Sequence, residues 1–270
     1  MRRMASLRVG TSAFTAAGWE TAFYPAGMKP AEYLSYYATK FDTVEVDSTF
    51  YRTPSAATVR GWYNKTPKDF VFALKVPQLI THEKCLADCD ADFKEFVAAA
   101  DLLGEKLGVI LLQFGYFNKA AFSGVDQFLA RLAPFLKKLP KGRRFAVEIR
   151  NKNWMVPKFV EALRERGVAL ALIDQSWVPR PWDLKLDANL VTADDFTYVR
   201  LLGDRKGIEE QTKVWDKVIV NRQAELRSWT DYLRPLKQRG VTIFVYVNNH
   251  YSGFGPATVE QFLEIWNAKK

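Results

Sequence analysis

Charged side chains interrupt several short β-forming runs at every second place. In FAVEIR (145–150), Val147 and Ile149 alternate with Glu148 and Arg150; in TVEVD (43–47), Val44 and Val46 alternate with Glu45 and Asp47. FTYVRLL (196–202) sets Tyr198 and Arg200 between Val199 and Leu201, and TIFVYVN (242–248) sets Tyr246 and Asn248 beside Val245 and Val247. Successive strand residues point to opposite faces, so one face of each run is apolar and the other carries ionisable groups. Such a set supports acid–base chemistry. A carboxylate beside cations stays ionised and serves as a base, whereas one pressed against aromatics is raised and donates a proton. On that logic Glu148 is the expected base, with Arg150 about 7 Å along the same strand face. Glu45, near STFY, is the expected acid, and Lys75 or Arg200 would stabilise developing negative charge.

These residues need a frame that brings separate strand ends together. Eight apolar runs recur along the chain, at 7–11, 43–47, 70–75, 109–114, 145–150, 169–174, 196–202 and 242–248, each followed by a helical pattern. Strict β–α alternation means a parallel sheet, and eight units in 270 residues match one (β/α)₈ barrel domain over 1–270. An open doubly wound sheet would carry a glycine fingerprint after the first run, which is absent. In a barrel the apolar face of each strand meets the helices and the charged face meets the interior. The other runs also end on polar groups: Thr11 or Ser12, Lys75, Gln113 and Asp174. For any one strand, a structural network in which Glu45, Asp47, Glu148 and Asp174 neutralise Lys75, Arg150 and Arg200 is a sufficient account. Eight strands ending this way at one rim point to a site, at the end where barrel enzymes build theirs.

Composition narrows the partners. The net charge is +9, spread through helical segments rather than a basic tail, which suits a small anionic substrate and allows nucleic acid as a partner. No secretory leader follows MRRMASLRVG, and no apolar run approaches the ~18 residues of a spanning helix, so a cytoplasmic protein without membrane contact is expected. Cys85 and Cys89 lack a second pair to complete a zinc site and read as reduced thiols. The histidines His82 and His250 fall in separate loops without the spacing of a ligand motif. The acid–base reading therefore assigns no metal ligands and requires no cofactor; a divalent metal stays open, because barrels acting on sugars or phosphodiesters bind metals at this rim. Phosphate has its own candidate site in the loops GDRKG (203–207) and NNHYSGFGPAT (248–258), where Gly203, Gly253 and Gly255 would let backbone approach an anion.

The segments RVGTS, FDTVEVDSTFYRTPS, FVFALKVPQLITH, LGVILLQF, FAVEIRNKNW, LALIDQSW, TYVRLLG and VYVNNHYSG together resemble the domain-of-unknown-function 72 family of (β/α)₈ barrels. The resemblance spans nearly the whole chain and implies a barrel with a rim of recurring polar residues; it lends no reaction. By position it adds Thr49, Phe50, Tyr51, Thr81, His82, Gln113, Trp154, Asn248 and Asn249 to Glu45, Lys75, Glu148, Arg150, Asp174 and Arg200. Of these, Thr49, Tyr51, His82, Gln113, Trp154, Asn248 and Asn249 are the expected substrate-binding set. Two departures stand out. Ala13 and Phe14 replace the family's glycine and tryptophan, and Leu202 replaces the histidine before the glycine of YVRLLG. The expectation is an enzyme of hydrolase, lyase or isomerase type acting on a small anionic or polyol substrate, such as a sugar phosphate or nucleotide-like molecule. A nucleic-acid-processing protein and a ligand-binding barrel without catalysis are the alternatives.

Overall fold

The computed structural model of the chain describes residues 5–184 and 189–268. Eight parallel strands, β1 Leu7–Thr11, β2 Thr43–Val46, β3 Val71–Lys75, β4 Leu107–Gln113, β5 Arg144–Glu148, β6 Ala169–Gln175, β7 Phe196–Gly203 and β8 Thr242–Val247, run in the spatial order β1-β8-β7-β6-β5-β4-β3-β2. With helices between them they form a nearly closed (β/α)₈ TIM barrel, as the alternation predicts.

The ring closes at β1 and β2 by a side chain rather than a strand ladder. Gly10 presses so close to β2 that a Cβ there would lie 2.0 Å from Thr43 O. The Tyr37 hydroxyl bridges the seam, accepting from Thr11 N–H at 2.9 Å and donating to Thr43 O at 3.1 Å. Buried backbone groups that lack a ladder partner need such a substitute.

Strand parity follows the sequence pattern. Val44, Val46, Val147, Ile149, Val199, Leu201, Val245 and Val247 join the core shared with the helices. The interior is filled unevenly: Phe196, Tyr198, Phe244 and Tyr246 from β7 and β8 face Ala73, Ala146, Ala169 and Ala171 from the other side. Large residues opposite small ones fill the barrel without voids. They also span it, so that Tyr198 reaches Glu45 and Tyr246 reaches Thr43, both on β2.

The helices have local causes. Gln223–Gln238 buries Leu226, Trp229, Thr230, Leu233 and Leu236, the spacing of one helix face. Ala56–Asn64, the weakest pattern in the sequence, starts where the Ser55 side chain accepts from Thr58 N–H at 3.1 Å. One expectation fails. Among the described residues, the connection from β6 to β7 carries no helix, so that edge of the mouth is built from irregular chain.

Candidate active site

At the C-terminal mouth of the barrel lies a cavity of about 460 Å³, whose wall includes Asp47, Lys75, His82, Gln113, Arg150 and Arg200. Parity brings these groups together from β2, β3, β4, β5 and β7, because every second strand residue must enter the interior.

Beneath the wall is a buried ionic network. Arg200 stands at its centre: Nε and Nη2 donate to Glu45 Oε1 at 3.2 and 2.8 Å, and Nη1 donates to Glu148 Oε2 at 2.5 Å. Glu148 Oε1 accepts from Arg150 Nε at 3.0 Å. Glu45 Oε2 accepts from the Tyr198 hydroxyl at 2.6 Å, and Lys75 Nζ lies 3.6 Å from Glu45 Oε1 while pairing closely with Asp47. Both glutamates are 0% exposed, and each of their oxygens is engaged. Burial acts to raise Glu148, but the charges of Arg200, Arg150 and Lys75 outweigh it and hold its carboxyl below the usual range. Burial likewise lowers Arg200, while Glu148 and Glu45 outweigh it and hold the guanidinium well above its ordinary value.

This geometry corrects the expected roles. A base or acid must present an oxygen to the substrate, and neither Glu148 nor Glu45 reaches the cavity. They are counter-charges that fix the cations. Among those cations Arg150 is the open one. Its side chain is 26% exposed, only Nε is tied to Glu148, and Nη1 and Nη2 have no protein partner among the described residues.

His82 is the titratable group facing the cavity near neutral pH. Its Nδ1 lies 2.8 Å from Thr81 Oγ1, and Phe50 meets the ring edge-on with centroids 5.1 Å apart. Nε2 has no hydrogen-bond partner among the described residues, and Gly115 leaves the space beside it open: a Cβ there would lie 3.2 Å from Nε2. Burial, and then the Arg150 charge, hold the imidazole below its ordinary value. His250 is also lowered, by burial, but its ring is committed, with Nδ1 2.5 Å from Asn248 Oδ1 and Nε2 2.9 Å from Glu209 Oε1.

The other expected residues divide. Tyr51, 70% exposed, and the buried Gln113 and part-exposed Asn248 line the cavity. Thr49 is structural: its Oγ1 donates to Lys75 O at 2.8 Å and accepts from Lys75 N–H at 3.0 Å. Trp154 packs behind the barrel wall against Phe128, with centroids 5.1 Å apart. Asn249 Oδ1 accepts from Gly255 N–H at 2.8 Å.

That last contact corrects the phosphate expectation as well. The Gly255 N–H is already satisfied inside the protein, and Gly253 N–H donates to Asn249 O at 2.7 Å. Gly253 and Gly203 permit close chain packing instead. A Cβ on Gly253 would lie 2.7 Å from Lys217 O, and one on Gly203, at φ 69°, would lie 2.4 Å from His250 O.

Asp174 also moves out of the site. With Ala169 and Ala171 facing inward, parity turns 173 and 175 in and 174 out. Asp174 accepts from Trp229 Nε1 at 2.8 Å, Tyr251 OH at 2.9 Å and Arg180 Nε at 3.0 Å, anchoring helix and loops to the barrel. Gln175 takes the inward place and lines the cavity, together with Leu202, Arg205 and His250. The parity of β6 was the signal for Gln175, obscured because the apolar run stops at Asp174. Among the described residues, no three His, Cys, Asp or Glu side chains converge as metal ligands.

Comparison with known proteins matches this architecture. The chain is 26% identical over 269 residues to the UPF0759 protein YunF of Bacillus subtilis, covering 92% of each. It is 31% identical over 146 residues to the UPF0759 protein YecE of Escherichia coli, covering 52% of each. Among solved structures, it superposes on a DUF72 family protein of Thermotoga maritima with a TM-score of 0.74 at 25% identity, covering 97% of this chain and 100% of that one. A DUF72 family protein of Enterococcus faecalis gives a TM-score of 0.71 at 20% identity, covering 98% and 96%, and shares the fold. The family model described as Protein of unknown function DUF72 matches residues 8–270, and the chain belongs to that family.

Proposed function

We propose that this protein is an enzyme of the barrel mouth that binds a small anionic substrate on Arg150 and moves a proton through His82. The observation that carries the reading is the state of Arg150, which lines the cavity: one nitrogen is locked to a buried carboxylate, while its two terminal nitrogens have no protein partner among the described residues. A guanidinium fork held this way is set for bidentate contact with phosphate or carboxylate. The network beneath does not repel an anion, because Glu45 and Glu148 are shielded by the cations they hold. Preorganised donors in a partly enclosed site stabilise developing negative charge without rearrangement.

His82 supplies the proton-transfer group. Its lowered affinity for protons keeps the imidazole neutral at neutral pH, and its free Nε2 lies in the same cavity as Arg150. A neutral imidazole poised near working pH is suited to abstract or return a proton. The substrate reaction is thus hydrolysis, elimination or isomerisation next to an anionic group.

Two measurements test the reading together. Calorimetric titration of inorganic phosphate should give saturable binding to the wild type, weakened about tenfold or more in Arg150→Gln. Sugar phosphates incubated with the protein in D₂O should show carbon-bound deuterium by proton NMR, or released phosphate by phosphorus NMR, and His82→Gln should abolish either signal. Undetectable phosphate binding, or turnover indifferent to His82→Gln, defeats the proposal.

A further inference from the structure

Beside the mouth runs a second cavity of about 760 Å³, lined by the irregular β6–β7 connection and by the ends of β6 and β7. Gln175 belongs to the walls of both cavities. The residue is 7% exposed, and its Oε1 is buried with no hydrogen-bond partner. Turning the amide over would leave a buried donor unpartnered in the same place, so the conclusion does not depend on which way it is drawn. A buried polar atom without a partner costs stability, and a rotation of this side chain within the shared wall would bring it to a ligand group.

The chemistry around the second cavity differs from the mouth. Arg180 gives its Nε to Asp174, Arg222 gives Nε to Tyr251 O and Nη1 to Glu225, and Lys152 also lines the cavity. Asp183 and Asp204 line the cavity, and their carboxylates have no hydrogen-bond or ion-pair partner among the described residues. Trp177 stands at the edge with its ring 48% exposed. Free carboxylates repel an anion and accept from hydroxyls, an amide both donates and accepts, and an indole face packs against the C–H face of a sugar ring. The groove thus mixes cations, carboxylates and an amide, a set able to hydrogen-bond several hydroxyls at once.

We infer that the substrate is a phosphorylated sugar laid across both cavities, with phosphate on Arg150 and hydroxyls read by Gln175 and Asp204 against Trp177. The inference rests on the anion reading of the mouth and makes Gln175 a specificity-determining residue. The part of the ligand that distinguishes it from free phosphate lies over β6, not over the ionic network.

Calorimetry with inorganic phosphate, ribose 5-phosphate, glucose 6-phosphate and 6-phosphogluconate tests it. The wild type should bind at least one sugar phosphate about tenfold or more tighter than inorganic phosphate, the size of effect expected from a satisfied buried amide with added contacts. Gln175→Met should reduce that preference to within about twofold. Trp177→Ala, at a half-exposed ring that folding does not depend on, should reduce the preference in the same direction. Equal affinity for phosphate and every sugar phosphate, or a preference that survives both substitutions, overturns the inference while leaving the anion site standing. Tighter binding of AMP than of any sugar phosphate overturns it too, in favour of a planar base. Failure of the wild type to bind phosphate at all removes the anion reading and this inference with it.

Discussion

Replacing Arg200 by methionine removes the cation that two buried glutamates share. Three of its nitrogens donate to them, and both carboxylates are 0% exposed. Breaking one buried pair costs ~3–5 kcal/mol. Here two pairs break, but Glu45 keeps Lys75 and Tyr198, and Glu148 keeps Arg150, so the combined loss is set at ~4 kcal/mol. At ~2–4 °C per kcal/mol, the melting midpoint should fall by roughly 8–16 °C. The pH dependence identifies the cause. In the wild type the Glu148 carboxyl is held below its usual range, so its contribution is present above the unfolded value and lost as pH falls through the folded one. Without Arg200 its main compensation is gone and burial dominates, so the folded value rises above the unfolded one. The variant then regains stability as pH falls through that raised value. Melting curves of both proteins between about pH 8 and about pH 5 should therefore converge toward the acid end. A loss below ~1 kcal/mol, or a gap equal at both ends, would refute the claim that Arg200 is the shared counter-charge of the two buried glutamates.

Three further outcomes are expected. Burial lowers both histidines, His82 and His250, so the folded chain refuses protons that the unfolded chain accepts. Stability should be complete above the unfolded value near ~6.5 and decline as pH falls from there through the folded values, and His82→Gln should flatten that slope in melting curves. Tyr37→Phe should cost ~1–3 kcal/mol in thermal unfolding, because Thr43 O and Thr11 N–H lose the hydroxyl that bridges the seam; an unchanged midpoint would remove that role. Asp174→Ala should lower stability by ~3–5 kcal/mol by stranding Trp229, Tyr251 and Arg180, while calorimetric phosphate affinity stays within about twofold of wild type; loss of phosphate binding in a folded variant would return Asp174 to the site.

The barrel was legible because period-two alternation survives in β2, β5, β7 and β8, where an inward Glu45, Glu148, Arg200 or Tyr246 sits between outward apolar side chains. The same alternation placed Glu45, Glu148 and Arg200 at one end. It could not say which atoms reach the cavity. That depends on Tyr198 spanning the interior to Glu45 and on Arg200 lying across both glutamates, contacts between strands distant in sequence. The glycines after β8 misled for a related reason: a glycine permits close approach of any backbone, and here the approaching group is Lys217 O rather than a phosphate. Asp174 misled because β6 is fully buried, with apolar residues on both faces, so the end of its apolar run says nothing about parity.

The division between locked and free donors gives the mouth its character. Arg200 spends three nitrogens on glutamates and is 2% exposed; Arg150 spends one and faces the cavity. The buried carboxylates thus fix the cations, and in the proposed function the open guanidinium makes the contact, which is the arrangement that electrostatic preorganisation requires. Leu202 fits the same division. Where the family resemblance places a histidine, this leucine packs with Ile173 and Val178 and presents an apolar wall to the cavity. β7 and β3 stand four strands apart in the ring, so His82, in the loop after β3, works across the mouth from that wall. An apolar wall on one side strengthens the charge interactions on the other, and under the proposed reading His82 is the imidazole that meets the substrate.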